Sequence, residues 1–209
     1  MTLNVTFSGF ERLNKTAKSV RAIPEAVNRA TFRAVNSVAA KSMTASRRDI
    51  GEELNLPQGY LREQMTLFKA RPKATVAEVR FRVRAVRLAR FAALQLTKPA
   101  PRAKGDSSRG IPRGRKAAGV SVKVKRRGGR RRMPGGFLIP LSGTIDGISN
   151  GVGVFIRTGK GRREIKHLYG PRPSDYFDSW KARYRKDIAA ELLEEYRAQF
   201  KFELSRIFR

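Results

Sequence analysis

Apolar residues recur every three or four positions near both ends of the chain and every second position through its middle. Phe10, Leu13, Ala17 and Val20 fall at helical spacing, and a second start follows at Ile23-Pro24-Glu25, with proline at a first-turn position beside an acid. Ile23, Val27, Ala30, Ala34 and Val38 then form one stripe, and Phe32, Val35, Ala39 and Met43 a second beside it. That pattern predicts a central helix running to about residue 48, with Arg29, Arg33, Lys41 and Arg47 on a solvated face. At the other end, Pro173-Ser174-Asp175 supplies an N-cap, with Asp175 and Asp178 near the positive pole of a helix dipole. Phe177, Trp180, Tyr184, Ile188, Leu192, Tyr196, Phe200, Leu204 and Ile207 follow at steps of three or four. They predict a helix from 175 to about 208, roughly 50 Å long at ~1.5 Å per residue. Leu193, Phe202 and Phe208 lie off that stripe, an extra apolar side that suits a neighbouring subunit.

Alternation predicts strands over residues 2–7 and 74–83, and 65–70, Phe137-Leu138-Ile139-Pro140-Leu141, Val152-Gly153-Val154-Phe155-Ile156-Arg157 and 165–169 read as further strands. Pro140 makes its strand an edge or a bulge. Residues 86–94 form a short apolar element whose type stays open. Together these elements give an α+β fold: an antiparallel sheet packed against a long N-terminal helix and a long C-terminal helix. Residues 1–209 read as a single domain.

Charge adds one feature that periodicity does not show. The chain of 209 residues carries 46 Lys+Arg against 17 Asp+Glu, a net +29. Thirteen basic residues against one acid, Asp106, place +12 of that between residues 102 and 132. The stretch is rich in Gly, Pro and Ser, which cannot bury enough apolar surface to offset chain entropy, so 99–134 reads as an extended basic loop or arm. Within it, Val120-Ser121-Val122-Lys123-Val124-Lys125 alternates like a short strand or hairpin arm. Arg113, Arg115, Lys116, Arg126, Arg127, Arg130, Arg131 and Arg132 are the candidate contacts, to nucleic-acid phosphate or to acidic neighbouring subunits. No Phe, Tyr or Trp occurs between 102 and 132, so base stacking is not supported and any DNA contact is sequence-independent.

Enzymatic chemistry finds no footing in the pattern. There is no cysteine and one histidine, His167, so no thiolate and no two-histidine metal site can be built within one chain. Gly159-Lys160-Gly161 lacks the rest of a phosphate loop and reads as a turn between strands. His167 reads as a structural or interface residue. Glu52-Glu53 and Asp146 are isolated carboxylates. We expect no catalytic residues, no metal and no cofactor. No apolar run approaches the 18–20 or so residues that span a bilayer, and the first residues lack the pattern of a secretory signal.

Three strings occur in order: Gly136-Phe137-Leu138-Ile139-Pro140, then Gly153-Val154-Phe155-Ile156-Arg157-Thr158-Gly159-Lys160-Gly161, then Ile165-Lys166-His167-Leu168-Tyr169-Gly170-Pro171. With Asn28-Arg29-Ala30, Tyr60-Leu61-Arg62-Glu63 and Leu88-Ala89-Arg90-Phe91 in the first half, the chain resembles the minor tail protein Z family of tailed bacteriophages. Arg172-Pro173-Ser174-Asp175 and the strongly basic loop are departures from that pattern. The resemblance implies a virion structural protein, made in the host cytoplasm, acting in tail completion or at the head–tail neck. It implies a homo-oligomeric ring, most simply hexameric, around the DNA channel, with other tail or neck proteins as partners and no membrane. Trp180, Tyr184, Phe200, Phe202 and Phe208 are then the candidate subunit contacts. A non-sequence-specific nucleic-acid-binding protein of ribosomal or nucleoid type is the alternative; it explains the charge but not the strings between 137 and 171.

Overall fold

The computed structural model describes residues 10–141, 144–145, 148–149, 151–161 and 163–208. The strand expected over 2–7, Asp146, and the side chains of residues 10–18 lie outside the described residues. Helix α1 spans Phe10–Glu53 and runs through Pro24 unbroken, where the sequence predicted two helices. An interior proline costs about 3 kcal/mol, and burial on the residues that follow it outweighs that cost. Ala26, Ala30 and Ala34 are fully buried at intervals of four, and Val38 almost so. Helix α2, Gln58–Glu63, follows the turn at Leu56-Pro57. Helix α3 spans Pro173–Ile207, starting two residues before the expected first residue, 175, with proline at its first position. Its predicted stripe is buried or half-buried throughout, and Leu193, Phe202 and Phe208 are exposed.

In chain order, the long helices are separated by β1 Met65–Phe68, β2 Glu78–Phe81, β3 Leu94–Pro99, β4 Arg115–Val122 and β5 Arg131–Met133. They are followed by β6 Gly136–Pro140, β7 Thr144–Ile145, β8 Ile148–Ser149, β9 Val152–Arg157 and β10 Ile165–His167. The strands make several small sheets instead of one: β1-β2, β3-β4-β5, β10-β9-β6 and β7-β8. The open element at 86–94 is a 3₁₀ turn, Leu88–Arg90, followed by the fully buried Phe91.

Residues 99–134 are not one extended loop, since β4 and β5 both lie there. The basic half of β4 pairs with β3, placing Lys116 opposite Lys98 and Ala117 opposite Thr97. Gly119, within β4, has φ +105, and a Cβ there would stand 2.4 Å from the Met133 carbonyl oxygen. Only glycine suits that crossing of β4 and β5. The Gln95 amide joins three strands, donating to the Gly119 carbonyl at 2.7 Å and accepting from the Leu138 N–H at 3.0 Å.

Packing divides the chain into two compact units: Met1–Ala45 with Thr66–Arg80 and Ala182–Arg209, and Ser46–Met65 with Phe81–Lys181. In the first, the helical unit, Glu203 of α3 is 1% exposed and is held by Arg29 at 2.9 Å and by Arg33. Lys41 meets Glu191 and Glu195 at 3.1 and 3.0 Å, and those hydrogen bonds raise its ammonium pKa. So Arg29, Arg33 and Lys41 form a pairing face and not the solvated face the sequence suggested. Asn36 holds the Ala70 backbone by both amide atoms, at 2.7 and 3.0 Å. In the second, the sheet unit, Trp180 donates its indole N–H to Asp49 at 3.1 Å and stacks on Phe177, whose ring lies 5.8 Å from Phe81.

Candidate assembly and nucleic-acid interface

The basic hairpin of the sheet unit is anchored to the end of α1. The Asn55 N–H donates to the Val124 carbonyl at 2.8 Å, and the Asn55 amide to the Lys123 carbonyl at 3.0 Å. The Arg126 N–H donates to the Glu53 carbonyl, which satisfies one of the carbonyls a helix end leaves open. The connection between β4 and β5 is thereby fixed at its base.

The eight candidate cations divide into two groups. Arg115 donates to the Thr97 hydroxyl at 2.7 Å and to its carbonyl at 3.1 Å. Arg130 donates to the Ser121 hydroxyl at 2.7 Å, to its carbonyl at 2.9 Å and to the Ala92 carbonyl. These two guanidiniums are engaged by their own chain. Arg113, Lys116, Arg126, Arg127, Arg131 and Arg132 are exposed, and among the described residues none has a carboxylate within ion-pair reach. Lys98 and Lys116, directly opposed, repel each other in the free chain. Asp106, the sole acid of the stretch, is held below the usual carboxylate range by the Ser108 hydroxyl, helped by Arg109.

A groove of about 760 Å³ opens beside this hairpin. Lys125, Arg131 and Arg132 line it together with Val124, Met133 and Pro171. Tyr169, 55% exposed, is part of the same lining. It ends an aromatic ladder across three strands: Phe137 to Phe155 at 6.4 Å, Phe155 to His167 at 4.5 Å, His167 to Tyr169 at 4.6 Å. Arg109 and Arg157 cover the far ring, Phe137. Burial depresses the His167 pKa, and the positive charge of Arg87 pushes it the same way. The turn at Gly159-Lys160-Gly161 joins β9 to β10, and the Glu164 carboxylate accepts from the Gly161 N–H at 2.7 Å.

The five candidate subunit contacts differ in exposure. Trp180 is 7% exposed and closed within the sheet unit. Tyr184 and Phe200 are half-buried, Phe200 stacking on Tyr196 at 5.8 Å. Phe202 and Phe208 are 53% and 59% exposed. Sequence reasoning missed Tyr169, because 37 positions separate it from Arg132 and only the fold brings them to one groove.

A family model described as prophage minor tail protein Z (GPZ) matches residues 11–209, nearly the whole chain. The chain belongs to that family. It is therefore a structural protein of phage tails. No curated protein and no solved structure matches it significantly. For this member of the minor tail protein Z family, two of the strings that carried the resemblance pack together. The Leu88 N–H donates to the Leu168 carbonyl at 3.1 Å, and the Gly170 N–H to the Val86 carbonyl at 2.7 Å. A Cβ on Gly170 would lie 2.3 Å from the buried Phe91 ring. Among the described residues no group of three or more His, Asp or Glu could hold a metal ion, and no helix is long and apolar enough to cross a membrane.

Proposed function

We propose that this minor tail protein Z family member forms a ring, most simply of six subunits, that completes the tail or joins it to the head around the DNA channel. Its place is in the virion, beside other tail or neck proteins. Six exposed cations around the β4–β5 hairpin, Arg113, Lys116, Arg126, Arg127, Arg131 and Arg132, have no carboxylate within ion-pair reach among the described residues and support this reading. A surface that concentrates uncompensated charge repels itself until a large acidic partner offsets it. The hairpin acts first as an assembly arm toward acidic neighbours, with channel DNA as a second partner contacted without regard to sequence. Phe202 and Phe208 are the apolar part of the subunit contact. No catalytic role, metal or cofactor is proposed.

Electron microscopy of the purified protein and of virions tests the class. Rings, or density at the neck, are the expected result; an isolated copy at the tail tip would overturn it. The same cations favour a second reading, general nucleic-acid binding. Phosphate neutralisation makes log affinity fall linearly with log salt, with a slope of about −0.9 per contact. Changing Arg126, Arg127, Arg131 and Arg132 together to Ser should then flatten the slope by up to about four contacts. Arg130 is left in place because its guanidinium holds the Ser121 and Ala92 backbone. Tails that fail to complete, with DNA affinity unchanged, mark the arm as the main role.

A further inference from the structure

The geometry of the groove beside the hairpin points to a peptide site: we propose that it receives an extended acidic segment of another protein, one that carries aliphatic side chains between its carboxylates. Three observations converge there. Lys125, Arg131 and Arg132 border one cavity and, among the described residues, have no ion-pair partner. The half-buried, apolar Val124, Met133 and Pro171 line the same groove. The exposed Tyr169 lines it too, its ring 4.6 Å from that of His167.

Each feature selects against a different occupant. A DNA duplex, whose major groove alone is about 12 Å wide, is too broad for a cavity of about 760 Å³; its phosphates would touch the cations and leave the aliphatic lining uncovered. A single strand is slender enough, but bases bind by stacking on aromatic platforms, and this groove offers one ring among aliphatic side chains. An acidic segment with aliphatic residues matches both halves: carboxylates pair with the guanidiniums, which fit them in a fork geometry, and the aliphatic groups cover Val124 and Met133. Arg and Tyr are also the side chains on which peptide affinity concentrates. The site deepens the assembly reading by naming the chemistry of one partner, and it rests on that reading only for the partner being another tail or neck protein.

Fluorescence anisotropy on the full chain tests the site with three labelled probes of equal charge: a short peptide of alternating glutamate and leucine, the same peptide with serine for leucine, and an oligothymidylate. The glutamate–leucine probe should bind, and the serine probe should bind about tenfold more weakly because the apolar lining is left bare. Arg131→Ser with Arg132→Ser should weaken the first probe by about tenfold or more, with no fall in melting temperature because both side chains are exposed. Equal binding of all three probes, or tighter binding of the oligothymidylate, overturns the proposal, and neither comparison needs a variant. Self-association lost in the double variant would assign the groove to a second copy and overturn it as well. Microscopy that places the protein elsewhere in the virion refutes the neck reading alone, since probe binding does not depend on location.

Discussion

Gly170 shows how one absent side chain sets local structure. Its backbone runs beside Val86 and Leu88, and the fully buried Phe91 ring occupies the space a Cβ would take. Gly170→Ala should lower stability by about 1–3 kcal/mol, the range for overpacking, read as a reduced melting temperature. His167 makes a second prediction at this scale. Its pKa is lowered from the ordinary 6.5 by burial and by Arg87, so the unfolded chain binds a proton more readily than the folded one. Stability is therefore complete above about pH 6.5 and declines as pH falls through that value toward the depressed one. His167→Phe keeps a ring between Phe155 and Tyr169 and should remove that slope from melts run between about pH 7.5 and 5.5. The chain has no other histidine to mimic the effect.

Among elements, Trp180→Ala should cost about 3–5 kcal/mol, because the indole is 7% exposed, bonded to Asp49 and stacked on Phe177; thermal unfolding checks it. The stripe that contains Trp180 was legible in the sequence because a helix writes its buried face at a fixed period. β6, β9 and β10 were legible as short runs rich in branched and aromatic residues. The turn from one helix into another at Pro24 was misread: a local breaker says nothing of the alanines that pack after it. β4 was half legible. Its apolar end alternates, but Arg115-Lys116-Ala117 become strand only through pairing with β3, 16 to 20 positions earlier, and no local pattern records a partner at that distance. Glu203 was invisible for the same reason, since its charge looks like surface until Arg29 and Arg33, more than 160 residues away, are placed beside it. At the candidate interface the residue types were readable and their engagement was not. Nothing in the run Arg130-Arg131-Arg132 tells which guanidinium turns inward to Ser121.

For the whole molecule, 46 basic side chains against 17 acidic ones make repulsion a property of the fold itself. The ion pairs of the helical unit offset part of it, while the hairpin of the sheet unit is left uncompensated. Melting temperature should therefore rise as salt is raised from about 0.01 M to 0.15 M, where the screening length shortens from about 30 to about 8 Å. A melting temperature that falls with salt would mean that the ion pairs outweigh the excess charge. The chain also has a single tryptophan, and Trp180 belongs to Ser46–Met65 with Phe81–Lys181. Its emission is thus a built-in optical marker for one unit alone, whereas the helical circular-dichroism signal draws on both. Superimposable melts by the two signals would make the units one cooperative block; separated melts would show each unit with a transition of its own.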